Sequence, residues 1–162
     1  MRRRALLSLL GTAGIGSLAG CSTGFSQRIT PEVASANIEA QDRECSDSPD
    51  ESALITSKSD DGTQIEVTGS IAVPRIDEEL YVDAQNGQGN PERNNADMEV
   101  RIDFGPPDSQ ANTDVPECEG QIAYKAEVEF THQPKEVIVR HTVEEEEDSY
   151  TLKTITTKTI DQ

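Results

Sequence analysis

The sequence predicts an all-β fold, an antiparallel β-sandwich of about seven to eight strands. Apolar and polar residues alternate over most of the chain beyond residue 34, which is the period of a half-buried strand. Clusters of Gly, Pro, Asn and Asp separate the alternating segments and mark turns. No segment has convincing helical spacing, and a series of short strands with regular turns is typical of a sandwich.

The first strand is predicted from a segment with two competing signals. Thr30-Pro31-Glu32 resembles a helix start, with a capping residue followed by proline. The residues that follow instead place four apolar side chains at alternate positions: Ala34, Ala36, Ile38 and Ala40. Because alternation continues for four repeats, we expect a strand rather than a helix.

Three strands follow before the middle of the chain. Residues 52–57 form a short one, and Asp61-Gly62 then gives the signal of a hairpin turn. Residues 63–73 place Ile, Val and Gly on one face until Pro74 ends the ladder. A brief strand around residues 80–84 precedes a long loop over residues 85–96.

The second half of the chain predicts four more strands, over residues 98–104, 122–130, 137–143 and 150–160. Residues 144–149 are expected to form an acidic turn. In the last strand the alternation slips between Leu152 and Ile155, and a β-bulge would account for the slip. The eight candidate strands together favour an immunoglobulin-like sandwich.

The N-terminal segment has the order of an export signal. Three arginines, Arg2 to Arg4, precede an uncharged apolar run that ends in small residues before Cys21. The run is shorter and richer in glycine than a membrane span of about 20 apolar residues. We therefore expect a signal peptide over residues 1–20, a polar tether over 21–33 and the sandwich domain over 34–162.

Two resemblances refine this segment. Leu18-Ala19-Gly20-Cys21 resembles a lipobox, which implies cleavage before Cys21 and lipid on its sulfur. Arg3 and Arg4, followed by Ala5-Leu6-Leu7, are similar to a twin-arginine signal, although no Ser or Thr precedes the pair in the usual place. Because each buried methylene contributes about 0.8 kcal/mol, two lipid chains hold a protein at the membrane well. The alternative for Cys21 is an ordinary disulfide partner.

The composition indicates an acidic exported domain. After removal of residues 1–20, 11 Lys and Arg stand against 31 Asp and Glu, a net charge of about −20. Such a surface repels phosphate backbones and anionic lipid headgroups. Nucleic acid is therefore excluded as a partner, and we expect the lipid on Cys21 to make the membrane contact. The composition resembles that of proteins from extremely halophilic archaea, where salt screens the self-repulsion. Disorder is the competing explanation of the composition, and the strand pattern argues against it.

The mature chain also resembles a family. The segments Asn37 to Cys45, Ile65 to Ile71 and Cys118 to Ala126 are similar to small haloarchaeal lipoproteins of unassigned function. The likeness covers most of residues 34–143 and implies a fold and a location but no activity. Members often carry additional cysteines, which this chain lacks.

Cys45 and Cys118 are the two thiols left after lipidation, and an exported chain meets oxidising conditions. We expect a disulfide between them, with two free thiols or a metal pair as the alternatives. The bridge would close a loop of about 73 residues and stabilise by roughly 4 kcal/mol.

No cofactor or metal site is predicted. A blue-copper site needs two His and a Cys. In blue-copper proteins one His precedes the Cys and the other follows it closely, whereas here His132 and His141 both follow Cys118 at long spacing. We expect His132 in a turn and His141 near the edge of the sandwich. A loop with enough oxygen ligands for Ca²⁺ lacks ordered spacing, and a solvated loop is favoured. Its polar residues are Asp83, Asn86, Asn90, Glu92, Asn94, Asn95 and Asp97.

Three function hypotheses follow. The first is a lipid-anchored binding or interaction module without catalytic activity, which contacts a surface protein or small ligand. The second is an accessory subunit of a membrane complex such as a transporter, which would show a contiguous exposed apolar patch. The third is a hydrolase, which would need a pocket carboxylate with a raised pKa beside His132 or His141.

Overall fold

The computed structural model describes residues 30–86, 95–106, 116, 118–146 and 149–160. These residues form eight β-strands and no helix, which confirms the all-β prediction. The described part of the chain therefore contains no helix that could cross a bilayer. The strands are β1 (Val33–Cys45), β2 (Ser52–Ser57), β3 (Gln64–Val73), β4 (Glu79–Asn86), β5 (Asp97–Gly105), β6 (Gly120–Phe130), β7 (Glu136–Glu146) and β8 (Ser149–Thr159).

The strands form two four-stranded sheets that make a β-sandwich, as the sequence predicted. Sheet A has the order β1-β6-β3-β2 and sheet B the order β4-β5-β7-β8. All pairings are antiparallel except β5–β7, which is parallel. The parallel pair arises because β6 lies in sheet A, so the chain leaves sheet B after β5 and re-enters it in the same direction. A parallel pair requires a crossover of this kind.

The core lies between the inner faces of the two sheets and consists mainly of Val and Ile. Alternate residues of the central strands point inward, and most of these side chains are at most 2% exposed. From sheet A they are Ile65, Val67, Ile71, Ile122, Tyr124, Ala126, Val128 and Phe130. From sheet B they are Met98, Val100, Ile102, Val137, Val139 and His141. Burial of one such aliphatic side chain contributes roughly 1.5–3 kcal/mol.

The last hairpin of the chain confirms one prediction and corrects another. Val139 pairs with Thr156 and Arg140 with Thr154, so Ile155 is the extra residue of the bulge that the alternation predicted. The acidic turn is shorter than expected, because β7 continues to Glu146, which pairs with Ser149. Strand pairing there is compatible with acidic residues because Glu144 and Glu145 are exposed.

The predicted disulfide closes one end of the sandwich. Cys45 at the end of β1 is bonded to Cys118, just before β6, with their Cα atoms 5.8 Å apart. The strands approach closely here, since a Cβ on Gly120 would lie 2.1 Å from the carbonyl oxygen of Glu44. A register shift after Ala40 turns Arg43 inward, where its guanidinium donates to two carbonyl oxygens of the β3–β4 connection.

We predict that the double variant Cys45→Ser, Cys118→Ser loses about 4 kcal/mol of unfolding free energy, because the bridge spans 73 residues and restricts the unfolded chain. Denaturant unfolding of the oxidised protein and the variant, at one salt concentration, measures the difference. Reduction of the wild type should give the same loss and leave the variant unchanged. Equal stability of oxidised and reduced wild type would contradict the prediction.

Candidate functional site

An open cavity of about 490 Å³ lies at the end of the sandwich where β1 ends, between the margins of the two sheets. Its apolar wall is made of alanine, valine and proline, whereas its polar groups are four carboxylates and one ammonium. The lining consists of Pro49, Glu51, Ala72, Val73, Pro74, Glu119, Val143, Glu144, Glu145 and Lys153. We call this the end cavity.

A hydrogen bond between the two sheets lies behind the end cavity. The Tyr124 hydroxyl of β6 and Nε2 of His141 in β7 are 2.8 Å apart, and the rings meet edge to face with centroids 5.6 Å apart. Both side chains are buried, at 2% and 0% exposure. This contact satisfies two polar groups that would otherwise be costly inside an apolar core.

The other nitrogen of His141 faces the carboxylate of Glu51, which lies just before β2. His141 Nδ1 and Glu51 Oε1 are 3.7 Å apart, longer than a hydrogen bond, and neither atom has a hydrogen-bond partner among the described residues. The second oxygen, Oε2, accepts a hydrogen bond from Lys153 of β8. The carboxylate therefore favours the tautomer with the proton on Nδ1, which leaves Nε2 to accept from Tyr124.

The surroundings hold His141 neutral. Burial lowers the pKa of His141 to about 4, against an opposing effect of the Glu51 carboxylate and a smaller lowering by Lys153. Burial also raises the pKa of Tyr124 well above its ordinary value. A neutral imidazole and a neutral phenol are the forms that an apolar interior stabilises, since desolvation penalises charge.

Carboxylate, imidazole and hydroxyl follow one another here in the order of a catalytic relay. Glu51 also takes the position that the hydrolase hypothesis required, in a cavity beside His141. However, the hydroxyl at the end of the relay belongs to Tyr124, which does not line the cavity and is only 2% exposed. The relay therefore joins the two sheets and presents no accessible nucleophile to the cavity.

The predicted histidines have different positions. His132 is exposed after β6, with Nδ1 3.1 Å from the Thr131 hydroxyl, in the turn where we expected it. The prediction that His141 lies near the edge of the sandwich is wrong. β7 is an inner strand between β5 and β8, and His141 shares the inward parity of Val137 and Val139.

Several predicted residues lie outside the described part of the chain. They include Cys21, Arg3 and Arg4, and also Asn90, Glu92 and Asn94 of the loop considered for Ca²⁺. Within the described residues, no group of three or more His, Cys, Asp or Glu side chains has the arrangement of a metal site.

The residues that the sequence did not reveal are Tyr124, Glu51 and Lys153 as partners of His141. The alternation of residues 122–130 puts Tyr124 on the inward face, but an alternating pattern does not show which side chain lies opposite in the other sheet. Glu51 precedes a strand and has no local signal. The one available hint was Lys153, a rare lysine in a Thr-rich strand.

Comparisons of this chain with protein-family models, with curated proteins and with solved structures find no match.

We predict that unfolding free energy falls as the pH decreases from about 6.5 to about 4. Folding lowers the pKa of His141, so the unfolded chain binds the proton more readily, and acid favours unfolding across this window. The contribution of His141 is roughly 3 kcal/mol at full extent. Denaturant unfolding at fixed salt, in steps between pH 7 and 4, measures it.

His141→Gln cannot titrate and should show a flatter pH profile, whereas the matched control His132→Gln should follow the wild type. Because carboxylates also titrate below pH 5, the informative quantity is the difference between each variant and the wild type. A His141→Gln profile parallel to the wild type would contradict the prediction.

Proposed function

We propose that this protein is a lipid-anchored, non-catalytic binding module on the outer face of the cell membrane, attached through Cys21, with the end cavity as its contact region. The observation that carries the proposal is that β1 begins at one end of the sandwich and the end cavity opens at the other. An anchor at the start of the domain then leaves the cavity directed away from the membrane.

The strand register supports this geometry. Val33 pairs with Phe130, while Cys45 pairs with Gly120, next to the cavity residue Glu119. β1 has 13 residues, and at about 3.3 Å per residue it extends roughly 40 Å. The residues before Val33 therefore join the domain far from the end cavity.

The cavity itself supports a binding role. Its volume of about 490 Å³ is within the range of small-ligand sites. The disulfide holds Cys118, next to the lining residue Glu119, and Arg43 donates a hydrogen bond to the carbonyl oxygen of Ile76, close after Pro74. These contacts hold two of the chain segments that line the cavity. Rigid elements around a concave surface lower the entropy cost of binding.

The accessory-subunit hypothesis receives no comparable support. The large apolar side chains that are exposed in the described residues are Leu54, Tyr81 and Tyr150, on β2, β4 and β8. Leu54 belongs to sheet A, whereas Tyr81 and Tyr150 lie on the two opposite edge strands of sheet B. These side chains therefore do not form the contiguous patch that a permanent apolar interface would require.

The anchor is tested with Cys21→Ser, which we expect to move the protein from the membrane fraction to the medium or to leave it unprocessed. The matched control Ser22→Ala should stay with the membrane. The intact mass of the control should correspond to a chain that starts at Cys21 and carries added lipid. Membrane retention of a processed Cys21→Ser chain, or a mature control species without lipid mass, would refute the anchor.

The contact region is tested by affinity capture of the anchored protein at native salt, with mass spectrometry of co-purifying proteins and small molecules. Charge reversal at two exposed cavity residues, Glu119→Arg and Glu145→Arg, should reduce a specific partner at least tenfold. The control reverses two exposed acids at the opposite end, Glu32→Arg and Asp60→Arg, and should retain it. Equal loss from both double variants would show that net charge, rather than the cavity, governs capture.

A further inference from the structure

Two arginines lie side by side on the outer face of sheet B. Arg101 of β5 is directly aligned with Arg140 of β7 in the parallel pair. The residues next to them in sequence, such as Val100 and Val139, are fully buried in the core, so both arginines point away from it. Like charges opposite one another on neighbouring strands destabilise a sheet, and this position therefore requires a compensating negative charge.

The compensation available within the described residues is incomplete. Glu99 contacts both arginines, but its oxygens lie 3.8 Å from Nη2 of Arg101 and 3.6 Å from Nε of Arg140. Both distances exceed a hydrogen bond. A second carboxylate, that of the exposed Asp83, is aligned with Arg101 in the β4–β5 pair. The Nε atoms of both arginines are buried and have no hydrogen-bond partner among the described residues. The Glu99 carboxylate is thus shared by two guanidinium groups, and both Nε atoms are left without a hydrogen bond.

The arginines line a shallow groove of about 580 Å³ on this face. Their side chains are 32% and 27% exposed, so each guanidinium is held against the sheet yet reachable. Hydroxyl groups and an apolar margin complete the lining, which consists of Arg101, Asp103, Arg140, Thr142, Tyr150, Thr151 and Leu152. In a chain with a net charge of −17, the lining holds two arginines and one acid, Asp103, and Glu99 contacts both arginines beside it.

We propose that this groove binds the carboxylate of a small organic acid, with the Arg101 and Arg140 guanidinium groups as its donors and Tyr150 and Leu152 against its apolar body. The guanidinium fork matches the two coplanar oxygens of a carboxylate. A single negative charge also suits this protein better than a multiply charged anion, because the acidic surface repels the latter more strongly.

The groove is separate from the end cavity. It opens on the outer face of sheet B, whereas the end cavity opens between the sheets, and the two share no lining residue. This inference goes beyond the proposed function and does not depend on it. Loss of one kind of binding leaves the other measurable.

The test is isothermal titration calorimetry of the full-length purified protein with galacturonate as the probe, at one fixed sodium chloride concentration. Galactose, which has the same ring without the charge, and sulfate, a dianion with tetrahedral rather than coplanar oxygens, are the ligand controls. We expect galacturonate to bind at least tenfold more tightly than either.

Three variants locate the site. Arg101→Gln should abolish galacturonate binding, and Arg140→Lys, which keeps the charge beside Glu99 but loses the fork, should weaken it at least tenfold. Arg75→Gln removes the same charge from the exposed Arg75–Asp77 ion pair elsewhere and should bind as the wild type does. Far-ultraviolet circular dichroism and the unfolding midpoint establish that each variant is folded.

Several outcomes would overturn the proposal. They are the absence of galacturonate binding to the wild type, stronger binding of sulfate than of galacturonate, and equal weakening by Arg75→Gln and Arg140→Lys. Full binding by a folded Arg140→Lys would also overturn it, because the planar fork would then be unnecessary. Titration with polygalacturonate separates two sources of the carboxylate; binding of the polymer without the monomer would reject a small acid.

Discussion

The structure depends on burying the inner faces of two sheets with few and mostly small apolar side chains. Only 33% of the residues are hydrophobic, and the chain has no tryptophan. Nearly all of the larger apolar residues in the central strands are therefore buried, and the core is a layer of Val and Ile between β3–β6 and β5–β7. Because so few apolar residues are available, polar side chains also occupy the interior. The largest of the buried polar side chains Glu99, His141 and Thr142 is His141.

The few lysines stabilise the margins of this layer. Lys153 and Lys158 of β8 contact Glu51 and the carbonyl oxygen of Ile55 across the opening between β2 and β8. Lys125 bridges Glu66 and Glu127 on the outer face of sheet A. Because exposed ion pairs are worth little individually and salt weakens them, the contacts made across the β2–β8 opening have more structural consequence than those on the open face.

The sequence predicted the elements well and their neighbours poorly. Alternation depends on each strand alone, so it located all eight strands and even the bulge at Ile155. Pairing between distant segments has no such local signal. The parallel alignment of β5 with β7 therefore could not be predicted, nor could the adjacency of Arg101 and Arg140 that follows from it. His141 was misplaced because its polarity outweighed the inward parity that the pattern did contain.

The start of β1 and the end of β8 lie at the same end of the sandwich. Before β1, Glu32 exchanges hydrogen bonds with Thr131. After β8, the backbone N–H of Ile160 donates to the carbonyl oxygen of Lys135, which is only four residues after Thr131. A fluorescent protein or affinity label fused behind the last strand would therefore lie close to the proposed attachment point and leave the disulfide end unobstructed. Reporters intended to monitor that far end are better inserted into one of its surface loops.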